Sequence, residues 1–84
     1  MVATQDDIRG WLMQGKRKGA THVMIVCDTF DWSDYPVEIM PDMSTRIQEI
    51  VEETDGKNML RMMEVYNLAC PFDAQLNEHR VWNL

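Results

Sequence analysis

The 84-residue sequence predicts a small α+β domain, residues 1–84 as a single unit, in the order helix, strand, strand, helix, helix, short helix, with helices covering one β-hairpin. Three observations carry this reading. A capped amphipathic stretch opens the chain, the run Val23-Met24-Ile25-Val26-Cys27 has no polar alternation, and two later stretches repeat apolar residues at helical spacing. The composition, 45% hydrophobic with three prolines and four glycines, is that of a globular chain.

Thr4 and Asp7 stand where a capping box needs them, and Ile8, Trp11 and Leu12 follow at helical spacing. Lys16, Arg17 and Lys18 fall in the last turn of this first helix, where cations suit the negative end of the helix dipole, and Gly19 supplies a left-handed cap. The "GKRKG" stretch is thereby explained without a phosphate, since a phosphate loop sets its glycines before a helix and not after one.

Val23 to Cys27 reads as a strand covered on both faces. Tyr35, Val37 and Ile39 alternate with Pro36, Glu38 and Met40, as in a second strand with one wetter face. Pro36 and Pro41 make that strand an edge. After Pro41, Asp42 or Ser44 is placed to cap a helix carrying Met43, Ile47, Ile50 and Val51 on one face and ending at Gly56. Met59, Met62, Met63 and Tyr66 then predict a third helix over residues 58–68, and Asp73 caps a short last helix reaching Val81.

Two strands make a poor sheet, and a continuous apolar strand calls for neighbours on both sides. A homodimer is therefore expected, either extending the sheet through the first strand or burying the Met-rich helical face.

The connection between the strands lies in "CDTFDWSDYP", residues 27–36, which gathers three aspartates and three aromatic rings. In its plainest reading "DWSD", residues 31–34, is a four-residue hairpin connection in which Asp31 and Asp34 bond turn amides while Phe30, Trp32 and Tyr35 cover the hairpin's end. In the functional reading Asp28, Asp31, Trp32, Asp34 and Tyr35 form a contact surface for a protein with a basic face. The spacing D-x-x-D-x-x-D lacks the ladder and terminal Glu of a calcium loop, so no metal is assigned to it.

Charge is unevenly distributed. Residues 1–27 carry +2, residues 28–55 carry nine acids against Arg46, and residues 56–84 balance, for a net charge of −6. An acidic middle repels phosphates and argues against direct nucleic-acid binding, while it suits a basic protein groove. The longest apolar run is far shorter than the ~20 residues of a membrane span. With two cysteines and no signal-like N-terminus, the expectation is a cytoplasmic protein with free thiols.

Cys27, Cys70, His22 and His79 invite a zinc hypothesis, but His22 and Cys27 are an odd number of residues apart on one strand and so point to opposite faces. Cys27 as a nucleophile would have its thiolate disfavoured by desolvation. A minimal hydrolase using Asp28 with Cys70 or a histidine lacks an identifiable base and a water-excluding pocket. No cofactor and no catalytic residue are assigned.

The segments "CDTFDWSDYPV", "GKNMLRMMEVY" and "NEHRVW" resemble small uncharacterised proteins of bacteria and their phages. The resemblance implies no activity, cofactor or site residue, only a setting in which small acidic proteins block host machinery. The function expected is a non-enzymatic interaction module, an inhibitor of a host nucleic-acid-handling or defence complex. The alternative is a protein that binds or sequesters a small anionic ligand at a homodimer interface, using Lys16, Arg17 and Lys18.

Overall fold

A computed structural model describes residues 3–78 and 80–84. The order is α1 (Gln5–Arg17), β1 (His22–Asp28), β2 (Ser33–Ile39), a 3-10 turn at Ser44–Arg46 leading into α2 (Ile47–Thr54), β3 (Leu60–Asn67) and α3 (Phe72–Leu76). The class is α+β, with one antiparallel sheet ordered β2-β1-β3. The segment over residues 58–68, expected to be a helix, is instead the third strand.

The α1 capping box is complete: Asp7 N donates to Thr4 Oγ1 at 3.1 Å and Thr4 N donates to Asp7 Oδ2 at 3.0 Å. Gly19 leaves the helix with φ 87°. Gly15 lets α1 approach β1 closely, for a Cβ there would stand 2.9 Å from Val23 Cγ2.

Central position explains the apolar run of β1, whose residues from His22 to Cys27 are all buried. Odd positions pack with α1 and α3, where Ile8, Leu12, Val23, Ile25, Tyr66, Leu68, Leu76 and Val81 form one core. Even positions pack under α2, where Met24, Val26, Ile39, Ile47, Val51, Met62 and Val65 form the other. With β2 and β3 on its two sides, β1 offers no free edge, which removes the first-strand route to a homodimer. The Met-rich helical face does not exist either, since Met62 lies in the core of a strand.

The helical spacing in β3 has a specific cause. Ile25 pairs with Glu64 and the next residue, Val26, with Met62, so a bulge at Met63 interrupts the ladder. The bulge puts Met62 and Val65, three apart, into one core, and Met63 and Tyr66, also three apart, against the other.

Two helix boundaries also differ from expectation. Neither Asp42 nor Ser44 caps α2: Ser44 Oγ donates to Pro41 O at 2.9 Å within the 3-10 turn. Asp73 lies inside α3, which ends at Leu76. Further on, Val81–Asn83 runs parallel to β3 at Val65, with Val65 N to Val81 O and Asn83 N to Val65 O both 3.0 Å.

The outer edge of β3 is closed along its length. Gly56 N donates to Leu60 O, Asp55 Oδ1 accepts from Met62 N, the C-terminal segment pairs with Val65, and the Gln75 side chain bonds Asn67. The outer edge of β2 is treated differently. Trp32 N donates to Asp28 O, so the Asp28 carbonyl points toward β2. Alternation along the ladder then directs the main-chain groups of Asp34, Pro36 and Glu38 outward. Pro36 thus removes one donor from the middle of the open edge, as an edge strand favours.

Candidate functional site

Four residues, Thr29 to Trp32, connect β1 to β2, two positions earlier than the expected 31–34, so Ser33 and Asp34 open β2 instead of forming the turn. Asp28 Oδ1 accepts from Phe30 N at 2.9 Å and Asp31 Oδ1 from Ser33 N at 3.0 Å, two local turns that leave the chain little freedom. Trp32 N donates to Asp28 O at 2.7 Å, and Trp32 itself sits in the left-handed region with φ 58°. A bulky residue there is uncommon and costs roughly 1 kcal/mol.

A second loop meets this turn. Thr29 N and Thr29 Oγ1 both donate to Met59 O, at 2.7 and 2.8 Å, and Asn58 and Met59 are also left-handed, with φ 52° and 62°. All three non-glycine positive-φ positions among the described residues therefore lie at one end of the sheet.

That end exposes apolar surface. Phe30 is 78% exposed, Trp32 60% and Met59 55%, with Tyr35 at the margin. Phe30 therefore does not cover the hairpin. Of the five expected contact residues, Asp31 and Trp32 sit at the tip, while the others divide between the two faces. Tyr35 and Asp28 lie on the α2 side, and Asp34, opposite Cys27, lies on the α1 side. Each carboxylate also has a structural role, since Asp34 Oδ2 accepts from Ala3 N at 3.1 Å.

Sequence reading missed Met59 as a surface residue because the helical stripe claimed it. The turn-forming residues Asp55, Gly56 and Asn58 just before it were the signal that a loop intervenes.

Two of the three expected anion ligands, Lys16, Arg17 and Lys18, have side-chain contacts on different elements. Lys16 Nζ lies 5.4 Å from the centroid of the Phe72 ring on α3, while Lys18 Nζ lies 3.4 Å from Glu38 Oε1 on β2.

Among the described residues no group of three or more His, Cys, Asp or Glu side chains is placed to hold a metal. His79 of the suggested zinc quartet lies outside the described residues. Burial, together with the hydrogen bond to Asp34, pushes the Cys27 thiol above its ordinary value, which makes it a poor nucleophile. Tyr66 is pushed up likewise, by burial and by the neighbouring Glu64, to which its hydroxyl donates at 3.1 Å.

His22 is buried, and burial lowers its pKa. Its Nδ1 is 2.8 Å from Thr21 Oγ1, which also reaches Ile39 O at 3.2 Å, and its Nε2 has no hydrogen-bond partner among the described residues. One hydroxyl proton serves either the carbonyl or the imidazole, which sets the tautomer.

No described helix is long and apolar enough to cross a membrane. Comparison with protein-family models, with curated proteins and with solved structures finds no match.

Proposed function

We propose that this chain is a non-enzymatic protein-interaction module that meets a basic partner surface with the sheet end formed by the β1–β2 turn and the 56–59 loop. The observation that carries the reading is the exposure of Phe30, Trp32 and Met59 on two loops tied by the Thr29–Met59 hydrogen bonds. Large aromatic side chains on a pre-ordered scaffold bind with little loss of conformational freedom and dominate interface energetics.

Charge supports the choice of partner. Asp31, Glu49, Glu52, Glu53 and Asp55 are exposed, and α2 leads through Asp55 directly into the 56–59 loop. A partner with a basic groove, such as one that otherwise holds nucleic acid, is complementary to this end. In the setting suggested by the sequence resemblance, the chain blocks a host nucleic-acid-handling or defence complex. A homodimer belongs to this proposal only through a surface other than β1.

The test is affinity capture from host lysate, followed by binding measurements with the purified partner. Trp32→Gly removes the indole and relieves the left-handed backbone, and affinity falls at least tenfold for a variant that circular dichroism shows to be folded. Association slows as salt rises. A partner that binds Trp32→Gly and Phe30→Ser as tightly as the native chain removes this end of the sheet from the interface.

A further inference from the structure

A groove of about 350 Å³ lies along the outer side of β3, lined by Arg61, Met62, Met63, Glu64 and Arg80. We propose that it is a binding site for a small organic anion, a carboxylate or phosphate carried on an apolar body, gripped between the Arg61 and Arg80 guanidinium groups. This is independent of the interaction surface at the β1–β2 turn, and it places anion binding on residues other than Lys16, Arg17 and Lys18.

The argument begins with unspent charge. Arg61 and Arg80 are both exposed, and neither forms an ion pair with a carboxylate among the described residues, although the chain as a whole is acidic. Arg9, Lys18 and Arg46 each have a carboxylate partner, Asp73, Glu38 and Glu49 respectively; Lys16, Arg17 and Lys57 also form no ion pair among the described residues, and what sets Arg61 and Arg80 apart is that they line one groove together.

Three acids around the groove and its sheet row each accept a hydrogen bond from another group, Asp55 Oδ1 from Met62 N at 2.9 Å among them. Glu64 lines the same groove, yet its Oε1 accepts from Tyr66 Oη at 3.1 Å and its Oε2 faces Val81 N at 3.5 Å. Asp34 shares a cross-sheet row with Cys27 and Arg61, but two strand spacings, about 10 Å, separate the outer members of such a row. Asp34 also accepts from Ala3 N.

The groove is built rather than incidental. The bulge at Met63 falls within the lining segment of β3, and Arg80, next to the segment that pairs with Val65, lines the same groove. Arg80 is held by stacking on Trp82, 4.7 Å from guanidinium carbon to ring centroid, and Trp82 is positioned by its bridge to Val65. A guanidinium fixed in this way keeps its fork of donors available for a bidentate anion, and loses less freedom on binding than a free side chain. Met63, half-buried on the α1 side of the sheet, supplies the apolar wall. The volume is at the small end of ligand pockets and suits a compact anion, not a peptide. Met62 N is already bonded to Asp55 Oδ1, so a peptide strand finds no free ladder there.

The test is calorimetric titration of the full chain at low salt with two probes, inorganic pyrophosphate and citrate. At least one probe is expected to bind saturably at one site per chain. Arg61→Gln and Arg80→Gln each weaken that probe at least tenfold, while Lys16→Gln leaves it unchanged. Thermal melts of the two arginine variants confirm that they fold, and Trp82→Leu, which removes the stacking platform, weakens the probe by a smaller factor. No saturable binding of either probe in the millimolar range, or equal weakening by Lys16→Gln, overturns the proposal.

Discussion

The Gln75 carboxamide makes to Asn67 the two hydrogen bonds that a neighbouring strand would make: Asn67 N donates to Oε1 at 2.9 Å and Nε2 donates to Asn67 O at 2.8 Å. Nε2 also reaches the carbonyls of Cys70 and Pro71, and Oε1 accepts from Asn83 Nδ2. At 1% exposure this side chain is a polar plug closing the end of β3. Replacing it with leucine strands the Asn67 amide and carbonyl away from water, so Gln75→Leu is expected to cost about 3 kcal/mol in urea denaturation, despite the gain in apolar volume.

Two glycines in α1 give opposite expectations for the same substitution. Nothing lies within 4 Å of a Cβ at Gly10, so Gly10→Ala should stabilise by up to about 1 kcal/mol through helix propensity alone. At Gly15 the added methyl meets Val23 and Leu68, both buried, and overpacking costs about 1 to 3 kcal/mol. Gly15→Ala is expected to lower the melting temperature and Gly10→Ala to raise it.

His22 makes stability depend on pH. Its folded pKa lies below the ordinary value of 6.5, so below pH 6.5 the unfolded chain binds a proton that the folded one resists. Stability from this residue is therefore complete above pH 6.5 and is lost as pH falls toward the folded pKa. Denaturation midpoints between pH 7 and pH 5 should decline for the native chain and decline less for His22→Asn, which cannot take the proton.

Pro36 guards the open edge of β2. Pro36→Thr restores an outward amide and a residue that favours strands, so the variant is expected to stay folded but to gain mass with concentration in light scattering, beyond any gain of the native chain. Equal behaviour of the two would show that the charges of Asp34 and Glu38 suffice.

How much of this was legible in the sequence depended on whether a local rule met a tertiary exception. The α1 caps, the β1 run and the Pro36 edge followed directly from rules that act within a few residues. β3 did not, because a bulge at Met63 turns a two-residue period into a three-residue one, and no local signal distinguishes that from a helix. The pairing of Val81–Asn83 with Val65 was equally hidden, since its partner strand is distant in sequence. In the candidate site, Trp32 and Asp31 were placed correctly at a turn, whereas Met59 reached the same end only through the Thr29 bonds that no spacing reveals.

The strand order has a further consequence, in time rather than in space. β1 and β2 are joined by four residues and can zip together on the microsecond scale of an isolated hairpin, whereas β3 must find the other side of β1 across the chain separating residue 28 from residue 60. Until it arrives, β1 carries an unsatisfied apolar edge, and the slow step of folding is the docking of β3. Changes at Met62 or Val65 should then slow refolding more than changes of equal severity at Val37 on β2. The late arrival of β3 would also leave a brief interval in which a second chain competes for the same edge.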